Sequence, residues 1–259
     1  MISFTEAQLS QWLADFFWPL TRVSAMFLAA PIFSVRQVPL RVRLLLAVLI
    51  TVLVQPVLPP APTVPVISVD GLQIAAQQLL IGIALGFLLQ MAFQALVFGG
   101  QVMAYSMGLG FAHMMDPANG VQVPVVSQFW LILAMLAFLL TNGHLLLIAA
   151  LVDTFAVVPI AADGLGRAGL MELLSWASRM FAAGLLMTMP VVIALLLVNI
   201  GMGIVSRAAP QLNIFAVGFP VTLMMGFLLI WVTLPQVLNN FLGLVDEAFG
   251  FTVAVFGTG

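Results

Sequence analysis

Apolar residues in this chain gather into six long stretches, Leu9–Phe33, Leu40–Leu58, Leu72–Phe98, Phe129–Val152, Trp176–Val205 and Ile214–Val245, divided by short connectors. Each stretch reaches or exceeds the roughly 20 residues that an α-helix needs to cross the hydrocarbon core of a bilayer. A transmembrane barrel would instead show short segments of alternating polarity. The pattern therefore predicts an all-α integral membrane protein, residues 1–259 forming a single membrane-embedded domain of six hydrophobic helical segments. Trp12, Trp18, Trp130 and Trp176 fall near the segment ends, where indole rings anchor a helix at the membrane interface.

Breaks in the pattern add detail. Pro19, Pro190, Pro220 and Pro235 fall inside segments, and each leaves a carbonyl four residues earlier without its amide partner. Several segments are therefore expected to be broken at proline. The stretch Pro56–Pro65 carries five prolines and reads as a stiff extended bridge. Asp163–Arg167 reads as a polar turn leading into a helix start. Between the third and fourth segments, Gly99–Gly120 is rich in Gly and Met. It is too apolar for a solvated connector and too rich in glycine for a stable membrane helix, which marks it as a deformable element.

Composition narrows the function. The chain is 63% hydrophobic and 6% charged, more apolar than a soluble domain of 259 residues could cover with polar surface. The seven basic residues are all arginine and form no basic face, so nucleic acid is not an expected partner. Cysteine is absent, which removes disulfides and thiol chemistry, and two histidines make a metal site improbable. There is no zinc-protease helix, nucleophile elbow or phosphate-binding glycine loop. The chain reads as a non-enzyme without a cofactor. Its beginning lacks a basic leader region, so the first apolar segment is expected to be retained. Arg36, Arg41, Arg43 and Arg207 would lie together on the cytoplasmic side, with both termini on the other.

Polar groups at membrane depth are costly and therefore informative. Asp15 and Arg22 lie two turns apart on one face of the first segment and could share a network. Gln90, Gln94 and Gln101 share a face of the third, as bonds to neighbouring helices or as the lining of a wet passage. Asp153, Arg179 and His144 complete the set; pairing at subunit interfaces or snorkelling accounts for them better than an ion relay. Gly82 and Gly86 form a small-xxx-small pair suited to close helix approach.

Several segments, in order along nearly the whole chain, resemble the FliR family of flagellar type III export-gate subunits. They are Phe17–Val23 (FWPLTRV), Ala30–Phe33 (APIF) with Val38–Arg43 (VPLRVR), and Gln77–Phe87 (QQLLIGIALGF). Met107–Ala112 (MGLGFA) with Asp116-Pro117, Asn142–Leu145 (NGHL) and Ala209–Pro220 (APQLNIFAVGFP) follow. The resemblance implies a multi-pass subunit of the bacterial inner membrane at the flagellar basal body. It would assemble with FliP- and FliQ-like subunits, work with FlhB- and FlhA-like components, and conduct unfolded flagellar proteins, surrounded in part by lipid. It also implies that a loop at about 106–123 plugs the channel, with Phe111, Met114 and Met115 as the apolar stopper beside Asp116 and Pro117. Gly108 and Gly110 would be its hinges. Injectisome subunits of virulence secretion share the pattern and are the nearest alternative. A secondary transporter or ion channel is a more distant one, because no paired repeats of broken helices are evident.

Overall fold

The computed structural model describes residues 5–34, 38–110, 125–209 and 214–257. Its regular structure is helical throughout these residues: α1 (Glu6–Ala29), α2 (Leu40–Val54), α3 (Val69–Ser106), α4 (Val125–Leu140), α5 (Gly143–Val157), α6 (Arg167–Ala208) and α7 (Ile214–Gly257). Four helical stretches are long and apolar enough to cross a membrane: Leu40–Val57, Val69–Ser106, Arg167–Ala208 and Val217–Thr252. The pair α4–α5 makes a fifth if its two arms count as one broken span.

The expected six spans are not reached, for two reasons. First, α1 carries Glu6, Gln8, Gln11, Asp15, Thr21 and Arg22 and is too polar to qualify as a span. Its start is fixed by a reciprocal cap: Thr5 Oγ1 accepts from Gln8 N at 3.3 Å while Thr5 N donates to Gln8 Oε1 at 3.0 Å. Second, the fourth apolar segment is two arms of 16 and 15 residues. They part at Thr141-Asn142, where Asn142 takes a left-handed conformation (φ 57°). That break contains no proline. Pro19, Pro190, Pro220 and Pro235 all lie within helices that continue through them, contrary to the expected breaks.

The chain divides into two compact units. One comprises Met1–Met91, Asn142–Ala177 and Val245–Gly259; the other comprises Ala92–Thr141 and Ser178–Leu244. In the first, α1 and α3 touch at the small-xxx-small pair. A Cβ on Gly86 would lie 2.6 Å from Ala29 Cβ and 2.8 Å from Met26 O, and one on Gly82 would meet the Arg22 carbonyl. Only glycine permits that approach. The extended bridge is held by α1: Asp15 accepts from Ala61 N at 3.1 Å, and Gln11 Nε2 donates to Ala61 O at 3.0 Å. Only Gln55–Val57 of the proline-rich stretch is helical, as one 3₁₀ turn. The polar turn before α6 ends at Arg167, as the sequence indicates.

In the second unit α3 is again central. Gly99 and Gly100 do not open a loop; the helix runs through both and ends at Ser106, eight residues later than its apolar run suggests. A Cβ on Gly99 would sit 2.8 Å from Gly184 O of α6, and one on Gly100 would sit 2.9 Å from Ser127 Cα of α4. The pair of glycines thus lets two neighbours close on the helix, which offsets its weak intrinsic helicity. Edge-to-face rings fill the remaining core: Phe93 with Phe138 (5.6 Å), Phe93 with Phe241 (5.0 Å) and Phe98 with Phe181 (5.3 Å). Trp18, Trp130 and Trp176 are buried in the two cores and are not interfacial anchors; Trp12 and Trp231 are the exposed indoles.

Candidate functional site

The end of α3 leads into the segment that the sequence singles out. A helix leaves its last four carbonyls without helical partners, and buried ones must find others. Here the last turn closes on itself first. Gly108 N donates to Tyr105 O and Leu109 N donates to Ala104 O, each at 3.0 Å, with Gly108 at φ +84°. This is the Schellman arrangement, and glycine meets its left-handed position without strain. Met107 N donates to Met103 O at 2.9 Å.

Of the two carbonyls beyond the helix's own reach, Ser106 O accepts from Asn199 Nδ2 of α6 at 3.3 Å, while the Thr222 hydroxyl of α7 stands 3.5 Å from Met107 O and donates to Phe219 O at 3.0 Å. The Met107 side chain is fully buried and lies against the backbone of Gly226, where an added Cβ would come within 2.5–2.9 Å of Met107 Cγ, Sδ and Cε. The Phe219 ring stands 3.3 Å from where a Gly108 Cβ would be, and the Tyr105 ring 2.8 Å from where a Gly110 Cβ would be. Thus Gly108 and Gly110 differ: the first sits inside a closed cap, the second just beyond it. Phe111, Met114, Met115, Asp116 and Pro117 lie outside the described residues.

The second cluster surrounds Arg22, which is wholly buried. Its Nε donates to Gln78 Oε1 (2.8 Å), one terminal nitrogen to Thr154 Oγ1 (3.1 Å) and the other to Val158 O (3.0 Å). Phe155 presents its ring face 3.9 Å from the guanidinium carbon. These partners are neutral, and Thr154 and Val158 form the C-terminal end of α5. The negative end of that helix dipole and the ring quadrupole compensate the charge in place of a carboxylate. Asp15 does not join Arg22; it bonds Gln11 (2.9 Å) and Ala61 instead.

The other polar positions separate. Gln90 is partly buried, and its Oε1 has no hydrogen-bond partner. Gln94 and Asp153 are exposed on the chain's surface. Gln78, Thr154, Asn199, Thr222 and Gly226 were not singled out from the sequence. Asn199 carried a readable signal, being the only amide in the apolar run from Pro190 to Ile204. Thr222 and Gly226 carried none, because Thr and Gly are ordinary in membrane helices.

Residues 13–248 match the family described as Bacterial export proteins, family 1. The chain belongs to this family, that of FliR. It is 44% identical to the flagellar biosynthetic protein FliR of Escherichia coli (strain K12) over 237 residues, covering 92% of this chain and 90% of that protein. The FliR of Pectobacterium carotovorum is 40% identical over the same shares, and that of Bacillus subtilis (strain 168) is 29% identical over 242 residues. As a FliR-family protein the chain is a multi-pass, non-enzymatic component of the flagellar export apparatus in the inner membrane.

Proposed function

We propose that the chain is one subunit of the export gate, built with FliP- and FliQ-like subunits and coupled to FlhB- and FlhA-like components. Unfolded flagellar proteins pass through the assembly. The segment at about 106–123 closes the passage, with Phe111, Met114 and Met115 as its apolar seal. Dewetting at such a constriction blocks ions, and flexible thioethers part around a passing chain.

The observation that carries the partner-subunit reading is the reach of exposed apolar surface. On α6 it extends from Met171 (56% exposed) to Val205 (44%), about 51 Å at 1.5 Å per residue. The bilayer core is only about 30 Å thick. Met171 and Leu174 at its near end alternate with the polar Glu172, Ser175, Ser178 and Arg179, so the part that outruns the bilayer core is mixed in character, and its apolar residues call for cover by apolar protein. The helix Leu40–Val57, only 11% buried, presents an equally bare apolar face.

Deletion of Gly110–Asp116 tests the plug. The expected result is an assembled apparatus whose membrane leaks small ions. A deletion mutant that stays tight to ions and secretes normally would overturn the assignment. Purification tests the assembly: two different hydrophobic partners should accompany the chain, and recovery of a stable homo-oligomer alone would instead favour a transporter.

A further inference from the structure

Within Pro59-Pro60-Ala61-Pro62 only Ala61 carries a backbone N–H, because proline has none. That lone donor is taken: Asp15 Oδ1 accepts from Ala61 N at 3.1 Å. Gln11 Nε2 donates both to Ala61 O (3.0 Å) and to Asp15 Oδ1 (2.9 Å). Two side chains one turn apart on α1 thus hold both backbone groups of a single buried bridge residue, as a neighbouring strand would. The bridge is also fixed where it meets α3. Ser68 Oγ donates to Pro65 O at 2.7 Å and accepts from Gly71 N at 2.9 Å, and a Cβ on Gly71 would lie 2.6 Å from Pro65 O.

This fixed bridge carries α2, which packs on α1 and buries only Ala47 and Thr51. Outward, α2 presents two aliphatic rows at i, i+4 spacing, Leu44–Val48–Val52 and Leu45–Leu49–Leu53, all six exposed. A helix bathed in fluid acyl chains gains nothing from a fixed angle, whereas rows that enter the grooves of another helix need one. We propose that Gln11 and Asp15 are positioning residues for assembly. They clasp the bridge so that α2 stands at one angle, its two rows preorganised to pack into the grooves of an apolar helix of a partner subunit. The inference rests on the reading that partner subunits cover the bare apolar surface of this chain.

The complete apparatus, extracted from cell membranes through a tag on this chain, provides the test. Asp15→Ala and Ala61→Pro delete the same bond from its two ends. In each, partner subunits should dissociate about tenfold faster, equivalent to about 1.4 kcal/mol. The double variant should be no worse than either single one, because only one bond is lost. Asp15→Asn keeps an acceptor oxygen and should retain the partners. Gly86→Ala weakens the α1–α3 contact without touching the bridge, so it should lower the amount of chain but leave the dissociation rate unchanged. If Ala61→Pro fails to accumulate, Asp15→Ala and Gln11→Ala decide. Normal dissociation in Asp15→Ala overturns the proposal, and so does equally fast dissociation in Gly86→Ala. If Leu53→Arg strips the partners while the clasp variants keep them, only this inference fails. If Leu53→Arg also keeps them, α2 faces lipid and the partner reading of that face fails first.

Discussion

Arg22 Nε donates to Gln78 Oε1 at 2.8 Å, tying the middle of α1 to α3, while the same guanidinium caps the end of α5. One side chain thus fastens three helices. Replacing Arg22 by Met would leave Gln78 Oε1 and Val158 O buried and unpaired, while Thr154 keeps its bond to Leu151 O, a loss on the order of 3 kcal/mol. Arg22→Lys should recover only part of this, because an ammonium cannot reproduce the three-way fork. Thermal unfolding of the purified complex measures both. A further check is Arg22→Met with Gln78→Leu, which removes both partners and should be less damaging than the sum of the single changes.

Glycines of this chain divide by what surrounds them. Gly86→Ala drives a methyl against Ala29 and the Met26 carbonyl, and should destabilise by about 1–3 kcal/mol through overpacking. Gly243, by contrast, has nothing within 4 Å of an added Cβ. Gly243→Ala should be neutral or stabilise by up to about 1 kcal/mol through helix propensity alone. Parallel unfolding curves would expose the opposite signs.

Gly108 should resist substitution for a different reason. Its φ of +84° places any L side chain in a strained region, and the Phe219 ring is 3.3 Å from the new Cβ. Gly108→Ala should therefore cost about 1–2 kcal/mol, and Gly108→Asn less, because asparagine tolerates the left-handed conformation. Steady-state level and motility of the two variants should rank in that order.

Leu53 is 76% exposed on α2, in the stretch after Arg43 whose exposed residues are all apolar. Leu53→Arg leaves the interior of the chain untouched, yet places a charge on a surface that requires apolar cover. The expected outcome is loss of co-purifying partner subunits, and hence of motility. Ala47, 1% exposed on the same helix, provides the contrast: Ala47→Leu should impair the chain's own packing.

How far the sequence could be read depends on whether a signal was local. Helical class, the turn before Arg167 and the Gly82–Gly86 approach follow from composition and spacing, and all are present. Six crossings are not confirmed, because an apolar run does not say where it bends. At Thr141-Asn142 the chain turns at a left-handed asparagine, a weak sequence mark, whereas four prolines that looked like breaks are absorbed into helices. Gly99-Gly100 was misread in the same way: glycine signals either flexibility or close approach, and only the neighbours Gly184 and Ser127 decide between them. Around the candidate site, Gly108 was expected as a hinge within a loop, whereas it caps a helix that runs on to Ser106. The neighbours Thr222 and Gly226 were not legible, since a threonine and a glycine on α7 become meaningful only once Met107 lies beside them. Asp15 and Arg22 show the reverse case, two charges well spaced for a shared network that the fold assigns to separate tasks.

The exposed apolar residues of α6, which reach beyond the bilayer core, bear on how cells must make this protein. A newly inserted copy has no environment that suits its full height until its neighbours arrive. Synthesis without those neighbours should yield short-lived chains, cleared by membrane proteases. Production in step with the rest of the apparatus is then a condition of survival for each molecule, and the number of finished gates follows from whichever subunit is scarcest.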